Sequence, residues 1–284
     1  MAGRFSRSWS LASASWQVLR QDTQLMVFPV ISVIASIVVG LAFLMGALGV
    51  ASIDGLSHLR GERLSAGVYV VGFAFYVCLY FVTFFCNSAL VGAAMMRFDG
   101  GHPTVGDGLR IASARAGRIL GYALIAATVG MVLRAIQERV GFLGRIVVGL
   151  LGVGWTVATF MVVPVLVSTE MGPVDAVKES AGLLKKTWGE NVIGKGGLGL
   201  AFVLVYLAIF AMGGAGLVFA LSVGNAALLV AVIGAGVVAL ILASLAHATL
   251  TGIYSAALYR YATTGSAGAG FDPAVLQVAF APKK

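Results

Sequence analysis

Four stretches of this chain, residues 23–53, 64–96, 146–169 and 196–259, contain no Asp, Glu, Lys or Arg. About 20 such residues wound as a helix cross the ~30 Å of hydrocarbon in a bilayer. Nothing in that layer hydrogen-bonds to an exposed backbone, so a helix, which satisfies itself, is the form such stretches take. The rest of the chain does not offer enough polar surface to hide them in water. Of 284 residues 60% are hydrophobic and 11% charged, where a soluble domain has about 25% charged. The 38 glycines suit helices that approach closely in lipid.

The expected fold is therefore all-α: a polytopic integral membrane protein with six transmembrane helices, at roughly 25–50, 68–96, 118–137, 143–168, 198–222 and 226–253. The third is the shortest. Only residues 119–133 separate Arg118 from Arg134, a rise of ~22 Å, so both arginines are expected to snorkel outward. A re-entrant or tilted pair over 118–145 is the alternative. The run 196–259 is too long for one helix, and Ser222-Val223-Gly224-Asn225 is its natural turn. Pro29 is expected to mark the start of the first span and Pro164 to kink the fourth.

Lysine and arginine set the orientation. With six spans, 14 of the 19 lie on the side that holds both termini and the 97–118 and 169–197 loops. Both termini are expected in the cytoplasm, with the chain in the plasma membrane. The net charge of +8 is then positive-inside bias, and no nucleic-acid partner is expected. The first span has an apolar core too long for a cleaved signal peptide. Cys78 and Cys86 lie ~12 Å apart along one helix, beyond disulfide reach.

Three segments outside the spans have the spacing of amphipathic helices. At 5–22 the apolar side is Phe5, Trp9, Ala12, Trp16 and Leu19. At 104–117 Thr104 and Asp107 cap a stripe of Val105, Leu109, Ala112 and Ala116. At 173–190 Pro173 and Asp175 suit a helix start, Lys185 and Lys186 its end, and the stripe is Val174, Val177, Ala181, Leu184 and Trp188. Each has Lys or Arg on its polar side, as in a helix lying in an anionic leaflet. Docking on the protein's own cytoplasmic ends is the other reading. The order helix–span–span recurs three times, at 5–96, 104–168 and 173–253, and suggests a three-fold repeat within one membrane domain, 1–261. A flexible tail, 262–284, is expected to follow.

Two stretches carry a resemblance. One runs from Ser8-Trp9-Ser10-Leu11 through Trp16-Gln17-Val18-Leu19-Arg20 to Val27-Phe28-Pro29. The other runs from Val163-Pro164-Val165-Leu166-Val167 through Pro173-Val174-Asp175-Ala176-Val177 and Glu179-Ser180 to Lys186-Thr187-Trp188-Gly189. Together they resemble an uncharacterised bacterial family of six-span membrane proteins. The second is loosely similar to the membrane domain that accompanies some glycerophosphodiester phosphodiesterases. The resemblance implies a membrane-embedded module; the soluble phosphodiesterase domain with its acidic metal ligands has no counterpart here.

Catalytic motifs are scarce. Gly194-Lys195-Gly196-Gly197-Leu198-Gly199 matches G-x-G-x-x-G but opens a membrane span, where a phosphate-binding version follows a strand. No P-loop, metal-spaced His or Cys pair or nucleophile elbow occurs, and no cofactor or metal is expected. His247 is the one histidine inside a span. Such a group faces a bundle or a wet cavity, and a hydrogen bond across a tight interface is preferred to a proton or solute relay. Asn87, with Thr83 one turn back, is the second intramembrane polar spot and has the character of interhelical glue. Gln137-Glu138-Arg139, with Arg134, is expected to be a solvated cap.

The first functional expectation is a non-enzymatic module that organises lipid or a partner complex, or a second copy of itself, at the cytoplasmic leaflet. Trp9, Trp16, Arg20, Lys185, Lys186 and Trp188 are its interface residues. A transporter or channel for a small solute, built on Asn87 and His247, is the alternative, with Gly213-Gly214 and Gly216 as the only candidate helix break. An intramembrane enzyme ranks third.

Overall fold

The computed structural model of the protein describes residues 19–20, 22–54, 66–188 and 197–265. Among them the regular structure is helical, with no strand. A 3-10 turn, Thr23–Met26, leads into α1 (Val27–Asp54). Then follow α2 (Ala66–Phe98), α3 (Val105–Ala114), α4 (Ala116–Arg139), α5 (Phe142–Ala158), α6 (Val162–Ser168), α7 (Pro173–Trp188), α8 (Gly197–Val223) and α9 (Ala226–Thr264). Six segments are long and apolar enough to cross a membrane, with α5 and α6 together making the fourth. The chain is a multi-pass membrane protein. The short third span is one continuous helix of 24 residues.

The described chain divides into two compact units. One contains Val27–Ala93 and Pro103–Leu184: α1, most of α2, α3 to α6 and the body of α7. Its buried residues gather toward the ends of the spans that meet α3 and α7. Phe28, Ala89, Leu90, Gly108, Ala112, Ile119, Ala123, Met161, Leu166, Ala176 and Ser180 are all buried there. Gly108 shows why. A Cβ on it would lie 2.5 Å from the ring of Phe28 and 2.7 Å from the carbonyl oxygen of Ala89. Only glycine lets α3 cross α1 and α2 at that distance.

The fourth span is broken where a kink was expected. Between α5 and α6 the backbone leaves the helix at Thr159 (φ −96°, ψ 4°) and Met161 (φ −100°, ψ 8°). Pro164 is the physical reason: it has no N–H to give, and its ring crowds the carbonyl four residues back. One side chain of α7 repairs the gap. The Ser180 hydroxyl donates to the Ala158 carbonyl at 2.7 Å and accepts from the Met161 N–H at 3.0 Å. α7 is thus docked by Ala176, Ser180, Leu183 and Leu184, all buried. The expected stripe is displaced by about a residue, and Val174, its first member, is exposed.

The other unit contains residues up to Met26, Ala94–His102 and Lys185 onward. It is dominated by the antiparallel pair α8 and α9. The turn falls where expected, with Gly224 at φ +67° and Asn225 accepting from the N–H groups of Ala227 and Leu228. α8 runs unbroken through Gly213-Gly214. α9 runs past 253 and three residues into the expected tail before Gly265 (φ +71°) ends it. Burial explains the extension. Ile253, Ala256, Ala257 and Leu258 have no exposed surface, and Arg260 donates to Asp99 at 2.5 Å.

Candidate functional site: the cationic end of the α3–α7 unit

Polar chemistry in the α1–α7 unit is concentrated at the end where α3, α4 and α7 begin. α3 starts with a capping box. The Asp107 N–H donates to Thr104 Oγ1 at 3.2 Å, and the Thr104 N–H donates to Asp107 Oδ2 at 3.1 Å. The Thr104 hydroxyl also donates to Oδ2 at 2.7 Å, and Arg110 donates to Oδ1 at 2.9 Å. The hydroxyl bond, before the others, holds the Asp107 carboxyl below its ordinary range.

Arg115 is the joint between α3 and α4. It closes α3 through its N–H to the Ala112 carbonyl and precedes the first residue of α4. Its guanidinium reaches Glu170 Oε1 at 3.0 Å. Arg118, one turn into α4, pairs with the other carboxylate oxygen of Glu170 and donates to the Thr169 carbonyl at 2.7 Å. Glu170 lies in the short link from α6 to α7. That link is held close because α7 opens with Pro173 against Gly121, whose Cβ would lie 2.9 Å from the Pro173 ring. Both arginine side chains are 26% exposed and Glu170 is 73% exposed. The Nε of Arg115 is buried without a hydrogen bond. Two fixed cations therefore share one surface carboxylate.

At the opposite end of the same unit, Arg134 donates to Glu138 at 3.0 Å and to the Tyr76 hydroxyl at 2.8 Å. Arg134 and Glu138 are both exposed, as a solvated cap would have them, and pair across one helical turn. Arg139 and Arg145 are exposed.

The expected site residues scatter. Trp9 and Trp16 lie outside the described residues. Arg20 and Lys185 are exposed. Lys186 and Trp188 fall in the last turn of α7, with side chains outside the described set. Asn87 is half-buried in α2, and Thr83 turns its hydroxyl to the Leu79 carbonyl at 2.9 Å. His247 belongs to the α8–α9 pair. Its Nδ1 lies 3.3 Å from the Tyr206 hydroxyl, and its ring stacks on Phe202 with centroids 4.3 Å apart. Among the described residues no three His, Cys, Asp or Glu side chains converge as a metal site would require.

Sequence spacing missed Glu170, Ser180, Phe202 and Tyr206. Each meets its partner 19 to 55 residues away, a separation no local periodicity reports. The available signal was Arg115 and Arg118 one turn apart, with a lone acid just past the fourth span.

Comparison with known proteins places the chain in a family. The family described as "Family of unknown function (DUF6159)" matches residues 66–271, and the chain belongs to it. Of the two stretches that carried the resemblance, the one over 163–189 lies inside the match and the one over 8–29 outside it. The looser likeness to the phosphodiesterase-associated membrane domain finds no support. No curated protein and no solved structure matches.

Proposed function

We propose that this member of a family of unknown function is a non-enzymatic membrane module that organises lipid, or a partner complex, at the cytoplasmic leaflet of the plasma membrane, with both termini in the cytoplasm. The observation that carries the reading is the double-sided character of α3 and α7. Each is docked by one flank, through Gly108 and Ala112 or through Ala176, Ser180 and Leu184. Each presents cations on the other: Lys185 on α7, with Arg110 paired to Asp107 at 2.9 Å and Lys178 paired to Asp175 at 3.2 Å, all three exposed. Val174, exposed beside them, has the apolar character of a side chain at the acyl boundary. An anionic surface attracts each such charge within a Debye length.

Neutralising Arg20, Lys185 and Lys186 together tests it. Phosphatidylglycerol retained through purification should fall by about threefold or more, and the difference should shrink at high salt. Unchanged retention would count against the reading.

The broken fourth span favours a second reading, a solute transporter, because discontinuous helices line many transport sites. A screen of amino acids, sugars and ions by thermal shift would support it if a ligand stabilised the wild type and not Ser180→Ala.

A further inference from the structure

We propose that Arg115 and Arg118 form a binding site for the phosphate of an anionic phospholipid headgroup, and that Glu170 is an internal occupant which this phosphate displaces. The inference rests on the lipid reading above and moves its centre from the lysines of α7 to the corner between α3 and α4.

Depth is the first argument. Arg118 is the last charge before the uncharged run 119–133 of a span. It therefore sits at the boundary between headgroups and hydrocarbon. Exposed apolar surface begins immediately, with Leu120 and Leu124 one turn apart on α4, where an acyl chain would lie.

Donor supply is the second. Two guanidiniums carry roughly ten N–H groups. Their hydrogen-bond partners are the Glu170 carboxylate and the Thr169 carbonyl. A phosphodiester offers two charged oxygens in the same fork geometry as a carboxylate, so it fits the same pair of arginines.

Asymmetry is the third. The arginines are anchored: Arg115 as the joint of two helices, Arg118 by the Thr169 carbonyl. Glu170 is three-quarters exposed and stands in a link without regular structure. An exposed carboxylate exchanges its partners for water at little cost. The two cations cannot do without an anion so easily, since both are largely covered.

The test uses the full chain in detergent, with native mass spectrometry against phosphatidylglycerol and phosphatidylcholine of identical acyl chains. Wild type should prefer phosphatidylglycerol. Arg115→Gln with Arg118→Gln should abolish that preference, a loss of about tenfold, the factor one charge-assisted hydrogen bond supplies. Glu170→Gln removes the competitor and should tighten phosphatidylglycerol by about threefold or more. A purely structural ion pair predicts no gain, so an unchanged or weaker Glu170→Gln overturns the site. Arg115→Lys with Arg118→Lys keeps charge and fold, loses the fork, and should bind at an intermediate level; full retention overturns the bidentate geometry. Inorganic phosphate should not compete, and effective competition would reassign the site to a soluble phosphate. A wild type without any preference for phosphatidylglycerol sinks the lipid reading as a whole. A preference that survives the arginine substitutions and falls with those at Arg20, Lys185 and Lys186 sinks this site alone.

Discussion

The α8–α9 hairpin and the α3–α7 end of the other unit are made from the same apolar alphabet and use it differently. α8 and α9 pack along each other as an antiparallel pair. Met212, Val218 and Val230 stand well exposed, and Tyr206 meets His247 across the two helices. At the α3–α7 end, helices cross at backbone distance over Gly108 and Gly121, and polar side chains close gaps that the crossing opens. Apolar length is enough to enter a bilayer. A defined arrangement of helices needs small residues and a few satisfied polar groups, because lipid competes with every apolar contact.

The same substitution should therefore behave oppositely in the two regions. Gly108→Ala forces a methyl into Phe28 and the Ala89 carbonyl and should cost about 1–3 kcal/mol, as overpacking does. Gly214→Ala meets nothing within 4 Å and should leave stability unchanged or raise it by up to about 1 kcal/mol through helix propensity. Unfolding in mixed detergent measures both. Equal effects would erase the distinction between the regions.

A smaller contrast concerns hydroxyls. Ser180→Ala leaves the Met161 N–H and the Ala158 carbonyl without their partner, at a cost of about 1–3 kcal/mol, the upper half of which requires that water does not replace it. Ser244→Ala, at an exposed position of α9, should change stability by less than about 0.5 kcal/mol. A Ser180→Ala variant as stable as wild type would mean the break in the fourth span holds itself.

These contrasts also mark what could be read from residue order. The six apolar segments, the turn at Gly224-Asn225 and the Thr104–Asp107 cap were legible, because each is written in local composition or in a spacing of three or four residues. The α3–α7 docking was half legible. Amphipathic spacing located the helices, yet the buried flank of α7 turned about a residue from the expected one because Ser180 is drawn to the break, a polar demand that hydrophobic periodicity does not encode. The break in the fourth span was legible as a kink at Pro164, whereas the glycines of α8, the other candidate break, stayed helical. Glycine only permits a break in lipid; Pro164 removes a hydrogen bond outright and made one. Arg115 and Arg118 were visible as charge and invisible as a site, since Glu170 reaches them only after the fourth span has returned to the same end.

The smallest effect separates the two regions by pH. α9 is capped by the neutral amide of Asn225, which accepts from two N–H groups at any pH. α3 is capped by Thr104 with Asp107, whose carboxyl is held below its ordinary value chiefly by the Thr104 hydroxyl and next by the Thr104 N–H. The folded state thus binds this proton less readily than the unfolded chain does. Its contribution is fully present above the unfolded value of about 4 and disappears as pH falls through the lower, folded value. Between pH 7 and 5 nothing should change at either cap. Below about pH 4, hydrogen exchange at the amides of residues 106–108 should accelerate beyond the intrinsic trend, while that at Ala227 and Leu228 should follow it. Asp107→Asn should flatten the difference, since the amide has no proton to take up in this range. Exchange at the two caps that runs parallel through pH 4 in the wild type would show that the α3 cap works through the Thr104 hydroxyl alone, with the carboxylate a bystander.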